Sequence, residues 1–121
     1  MKRLFTLEEA NASLEVVSPL VERLRAAQAV IAETHETLVE SAKSNGGGEE
    51  GRDFLDAISA AGKSIGELQD AGIVVRDPMT GLIDFPSDRD GEEIYLCWRL
   101  GEERIAWWHP ATSGFADRRP L

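Results

Sequence analysis

Glu93-Ile94-Tyr95-Leu96-Cys97-Trp98-Arg99-Leu100, then Gly101-Glu102-Glu103, then Arg104-Ile105-Ala106-Trp107-Trp108-His109, is the stretch on which the fold turns. Both flanks are rich in aromatic and branched residues and have a period of two, and the glycine between them marks a hairpin. A three-residue loop sets Leu100 opposite Arg104, Trp98 opposite Ala106, Cys97 opposite Trp107 and Tyr95 opposite His109. Side chains alternate along a strand, so this register sorts two faces. One face reads Ile94, Leu96, Trp98, Leu100, Ala106 and Trp108, apolar enough to pack on helices. The other reads Tyr95, Cys97, Arg99, Ile105, Trp107 and His109. It is too aromatic for open solvent, yet it carries groups that want partners, so the tail, another subunit or a ligand should cover it.

Working backwards, Ile73-Val74-Val75 and Leu82-Ile83-Asp84-Phe85 are two further short strands. Asp77-Pro78-Met79-Thr80-Gly81 is the turn between them, and Pro86 to Gly91 separates the next pair. Ahead of residue 73 the period lengthens. Thr6 and Glu9 form a capping box, so a helix begins at Leu7. Leu7, Ala10, Leu14, Val17, Val21, Leu24, Gln28, Ile31, His35, Leu38 and Ala42 then recur in steps of three and four, one stripe of helix. Pro19 lacks a backbone donor and clashes with the preceding turn, which predicts a kink or a break near Val17 and Ser18 with a new start at Pro19. A short helix followed by a long one is therefore expected. Ser44 to Gly51 is a glycine-rich connector. Phe54, Ile58, Ala61, Ile65 and Leu68 form a second stripe, closed by Gly72 in a left-handed cap.

The expected architecture is α+β: a helical hairpin, preceded by a short helix, packed on an antiparallel sheet of three to four strands. It reads as a single domain over 1–121, with a helical part at 6–72, the connector at 44–51, a β part at 73–109 and a tail at 110–121.

The chain has 121 residues, with 13 Lys and Arg against 22 Asp and Glu, a net charge of −9. Both halves are acidic, which argues against nucleic acid and against anionic membranes, since each needs a basic surface. No apolar run is long enough to span a bilayer, and the basic start at Lys2-Arg3 leads into Glu8 and Glu9 instead of a signal core. The single cysteine, Cys97, cannot form an internal disulfide and is best tolerated in a reducing compartment. A soluble, cytoplasmic protein is expected.

Several segments taken together carry a resemblance. Phe5 to Asn11, Gly81-Leu82-Ile83-Asp84-Phe85-Pro86, Tyr95 to Glu102, Trp107-Trp108-His109 and Gly114-Phe115-Ala116, with Arg118 or Arg119 before Pro120-Leu121, resemble the bacterial and archaeal "domain of unknown function 2203" family. The resemblance spans nearly the whole chain and implies no reaction, substrate or cofactor. The chain departs from that pattern at Pro110, where an acidic residue often follows the histidine, and in its longer, looser connector. Pro110 weakens any scheme in which a neighbouring carboxylate tunes His109.

Asp84, Cys97 and His109 are the one set of soft and borderline metal-ligand types that the strand arrangement brings together. No CxxC or HExxH spacing pre-shapes a centre, so neither metal nor cofactor is expected, and a packed, inert cysteine is the plainer reading. Cys97 as nucleophile with His109 as base suffers from its mid-strand position. Asp84, Arg89, Tyr95, Arg99, Trp107, His109 and Arg118, with Arg119 beside it, could instead gather round a small anionic or aromatic ligand, because arginine suits carboxylates and phosphates. The plainer alternative pairs Arg89 and Arg99 with Asp84, Asp88, Asp90 or Glu102. His35 and Gln28 read as satisfied polar groups within the helical seam.

Two functions remain in view. The first is a non-enzymatic module that self-associates, as a dimer, through the helical seam or the Tyr95/Trp107 face, because the helical stripe is longer than so small a sheet can cover. The alternative is a small-molecule binding protein or enzyme with its site on the Arg99, His109 and Trp107 face.

Overall fold

The computed structural model describes residues 3–42 and 49–121. Two helices, α1 (Leu7–Ala42) and α2 (Glu49–Asp70), precede five strands: β1 (Val74–Asp77), β2 (Leu82–Arg89), β3 (Glu92–Arg99), β4 (Trp107–Pro110) and β5 (Arg119–Pro120). The sheet is antiparallel throughout, with the strands in chain order. A short 3₁₀ turn, Phe115–Asp117, lies between the last two.

The capping box forms as read. The Thr6 amide donates to Glu9 Oε1 at 2.9 Å and the Glu9 amide to Thr6 Oγ1 at 3.0 Å. These bonds hold the Glu9 carboxyl below its ordinary value. The break at Pro19 does not occur: α1 runs through it as one helix. Pro19 and Glu15, whose carbonyl loses its partner, both lie on the exposed side, so water can hydrate that carbonyl. Meanwhile Val17, Leu20, Val21 and Leu24 stay buried on both sides of the proline and hold the helix together across it. The expected connector lies outside the described residues at 43–48, and its last three positions, 49–51, are helical instead. In α2 the buried stripe is Ala57, Ala61, Ser64 and Leu68, which leaves Ile58 exposed. His35 is likewise exposed, tilted against the Phe54 ring at 6.2 Å. Gly72 ends α2 with φ 88°, and the Ile73 amide reaches back to the Leu68 carbonyl at 3.0 Å, a Schellman closure.

In the sheet, Pro86 proves to be a strand residue paired with Tyr95. Its carbonyl takes the Phe5 amide at 2.7 Å, so its nitrogen faces this same side, beyond the end of β1, where no ladder donor is required. The turn after β2 is just Asp90-Gly91, both at positive φ (53° and 87°), the two-residue hairpin geometry. Between β3 and β4 the expected register survives, Cys97 opposite Trp107 and Tyr95 opposite His109, but the loop is longer than expected. Arg104, Ile105 and Ala106 are not strand. Trp98 Nε1 donates to the Glu102 carbonyl at 3.0 Å and Asn11 Oδ1 accepts the Ile105 amide at 2.8 Å. Freed from the ladder, Ile105 turns into the core instead of joining the outer face. The fifth strand comes from the tail, where Trp107 and Trp108 pair with Pro120 and Arg119.

The core is the layer between the helices and the inner sheet face. Ala10, Val17, Val21 and Leu24 of α1 and Ala61 and Leu68 of α2 meet Ile83, Phe85, Ile94, Leu96 and Trp98. The expected apolar face is thus the covered one, and the opposite face, with Asp84, Tyr95, Cys97, Trp107 and His109, looks away from the helices. Among the described residues no helix is long and apolar enough to cross a membrane.

Candidate functional site

Register alone puts Asp84, Cys97 and Trp107 in one row across the outer face, and Pro86, Tyr95 and His109 in the next. Asp84 and His109 meet diagonally: His109 Nε2 lies 2.8 Å from Asp84 Oδ2, and both residues are 1% exposed. The acid that reaches the histidine therefore comes from β2, which answers the absence of a carboxylate at position 110. Arg76, from β1, donates Nε to the same Oδ2 at 2.8 Å and lies over the Tyr95 ring at 4.8 Å. The bond to Asp84 holds the Arg76 guanidinium above its usual value. Tyr95 in turn packs on the His109 ring at 5.4 Å.

The protons can be placed by their partners. His109 Nδ1 is 2.9 Å from the Pro110 carbonyl, which can only accept, so Nδ1 carries a proton and donates it. Nε2 and Asp84 Oδ2, both natural acceptors, then share a second proton between them. Asp84 Oδ2 thus serves two donors, whereas Oδ1, also buried, has no partner. A buried carboxylate oxygen left alone loses its hydration without return, so this atom marks where a donor or a cation would be stabilised.

The chain segment after β4 folds over this face. Ala111 to Phe115 close a cavity of about 320 Å³ whose other walls are Arg76, Leu82, Asp84, Cys97 and His109. Burial, with Asp84 beside it, pushes the Cys97 thiol up from 9.0 to about 12. A neutral thiol on a strand is a poor nucleophile, and Cys97 as nucleophile with His109 as base finds no support in this geometry.

The other residues singled out from the sequence are dispersed. Arg118 pairs with Glu102 at 2.6 Å, reaches the Cys97 carbonyl at 3.5 Å and lies over the rings of Trp107 and Phe115. Through Phe115 it braces the Ala111 to Phe115 segment, the strap over the cavity. Arg99 is exposed, its guanidinium 5.5 Å from the Phe115 ring centre, and it meets Glu102 through its backbone, the amide donating to Oε1 and the carbonyl accepting the Glu102 amide. Arg89 lies over Trp108 at 4.5 Å, on the helix-facing side and far along β2 from Asp84, and Arg119 stacks on Trp108 at 5.2 Å. Asp84 and His109 thus come together with Cys97 and Tyr95. Trp107 stands next to them under Arg118, and Arg89 and Arg99 belong elsewhere. Reading the sequence misses Arg76 and the strap from Ala111 to Phe115. Val74 pairs with Asp84, so alternation puts Arg76 on the same face, beside a register shift between Val75 and Asp77; what the residue pattern does not give is the pairing of β1 with β2 that brings it to Asp84.

Comparison with curated proteins and with solved structures gives no match. Over residues 3–121 the chain matches the family described as "Uncharacterized conserved protein (DUF2203)", and it belongs to that family.

Proposed function

We propose that this protein binds a small anionic ligand in the cavity under the strap. The observation that carries the reading is the buried Asp84–His109 pair lining a cavity, with one carboxylate oxygen unpartnered and a cationic Arg76 at its edge. The Arg76 side chain is 42% exposed, so its guanidinium is available at the mouth while its Nε stays on Asp84. An anion there would meet the guanidinium fork, and a hydroxyl or amine on the same ligand would supply the donor that Oδ1 lacks. Tyr95, tied to Arg76 and His109, fixes both rather than touching the ligand.

Thermal-shift measurements against inorganic phosphate, simple carboxylates and nucleotides test this. A ligand bound only by the native state at a hundredfold excess over its Kd adds about 2.7 kcal/mol. Arg76→Ala should remove that response and leave a folded protein. A response that survives Arg76→Ala intact places the ligand elsewhere and overturns the reading.

A second reading, self-association through the helices, is favoured by a separate observation. Val30, Val39, Leu55 and Ile58 are exposed along the hairpin, by 38% to 65%. Val30 also lines a groove of about 580 Å³ between the two helices, whose small residues Ala26, Ala27, Ala57 and Ala60 are rimmed by charged ones such as Arg23 and Asp56. Its test is the mass of the particle in solution.

A further inference from the structure

We propose that Asp84, Cys97 and His109 form a three-ligand site for a divalent metal of the zinc class, with its fourth position open to the cavity. This deepens the ligand-site reading and rests on it, for the metal would be what the anion binds.

Three strands each contribute one ligand atom, and the carboxylate oxygen, the thiol sulfur and the imidazole nitrogen all lie within 4.8 Å of one another. Each of the three residues is 1% exposed, so no conformational search is needed to gather them. The strands that carry them are joined in register, which makes the triangle rigid.

The hydrogen bonds around these atoms are those a metal site requires. His109 commits Nδ1–H to the Pro110 carbonyl, which leaves Nε2 as the coordinating atom and fixes the ring's orientation. A second bond of this kind, to a backbone carbonyl or carboxylate, accompanies nearly every metal-binding histidine. Asp84 is oriented from outside by Arg76 at 2.8 Å, while its buried Oδ1 has no donor. Nε2 and Oδ2 face each other at 2.8 Å as two acceptors, an arrangement that a proton between them makes favourable; a zinc-class ion, bonded at about 2.0 Å to each, would replace that proton by parting the two atoms to about 3.3 Å. In the metal-free state it is a proton. On coordination that proton and the thiol proton leave to solvent, and the metal forms bonds to nitrogen, oxygen and sulfur.

The donor set selects the metal. One sulfur, one nitrogen and one oxygen suit zinc, cobalt or ferrous iron, whereas magnesium and calcium want several oxygens. Three protein ligands with a fourth position facing a cavity is the arrangement of a reactive zinc site, in contrast to a closed structural one. Arg76, Thr112 and Ser113 line that cavity and would meet whatever anion or water takes the fourth position.

Cobalt titration of the untagged, chelator-treated full chain tests the proposal. The expected result is a saturable spectrum with intense tetrahedral bands in the visible and a thiolate-to-cobalt band in the near ultraviolet, bleached when zinc is added. Cys97 is the only cysteine, so the wild-type band by itself assigns the sulfur ligand. Cys97→Ser should lose the ultraviolet band, and Arg76→Gln, one shell out, should weaken cobalt binding by about 10- to 100-fold. A silent titration, or a spectrum without the thiolate band, overturns the metal site. The same metal-free protein is then tested with phosphate and carboxylates. Stabilisation there with a silent cobalt titration leaves the anion cavity standing and removes the metal. A cobalt spectrum that no anion perturbs supports the metal and removes the anion.

Discussion

Gly81 shows how a single missing side chain governs the junction between the two layers. It sits at φ 71°, and a Cβ built there would stand 2.6 Å from Leu100 Cβ and 3.0 Å from Val21 Cγ1. The first is fixed to the backbone, and the second belongs to a β-branched side chain with little freedom at χ1. Gly81→Ala is therefore expected to destabilise by about 2 kcal/mol or more, from left-handed strain together with overpacking. Chemical denaturation measures it, and a change under about 0.5 kcal/mol, the scale of an ordinary surface substitution, would show that the junction yields. The sequence marks Gly81 as a turn residue through Asp77-Pro78, and the Asp77 side chain does bond the Met79 amide and the Thr80 hydroxyl. What it does not mark is the contact with Val21 and Leu100, which comes from elements 60 and 19 positions away. Asp84 is a similar case. Its place in a strand can be read locally, but its two partners, Arg76 and His109, come from other strands.

At the level of elements, α1 presents a conflict between local preference and tertiary packing. A proline in a helix interior costs about 3 kcal/mol relative to alanine, yet the helix passes through Pro19 unbroken. The apolar contacts on either side outweigh that penalty. Pro19→Ala restores the amide that the Glu15 carbonyl lacks and should stabilise the protein by about 1 to 3 kcal/mol, seen as a raised denaturation midpoint with unchanged m-value. A destabilised variant would mean that the kink potential of the proline is used by the fold. Pro86 carries the opposite lesson. It reads as a strand terminator, and it is accommodated because its nitrogen lies on the side where β2 meets Phe5 instead of a full neighbouring strand.

Across the whole molecule, α1 is about 54 Å long at 1.5 Å per residue, whereas the longest strands, at 8 residues, reach about 27 Å. The helical hairpin therefore overhangs the sheet, and the exposed valines, Leu55 and Ile58 lie along it. If two copies bury this overhang against each other, sedimentation at low micromolar concentration gives twice the chain mass, and Ile58→Glu returns a monomer. A wild-type monomer under those conditions removes the second reading and leaves the cavity reading untouched. The tail belongs to this scale too: it supplies β5 and the strap, and so closes the outer face that the residue pattern left in need of cover. From sequence alone the capping box, the Gly72 closure, the β3–β4 register and the two-faced character of the sheet are all legible, because each depends on residues a few positions apart or on a period. The family resemblance was legible as well. The unbroken path through Pro19, the inward turn of Ile105, the fifth strand and the meeting of Arg76, Asp84 and His109 were settled by tertiary structure. Each is decided by how much apolar surface or buried charge can be satisfied by segments distant along the chain, and no local pattern encodes that balance.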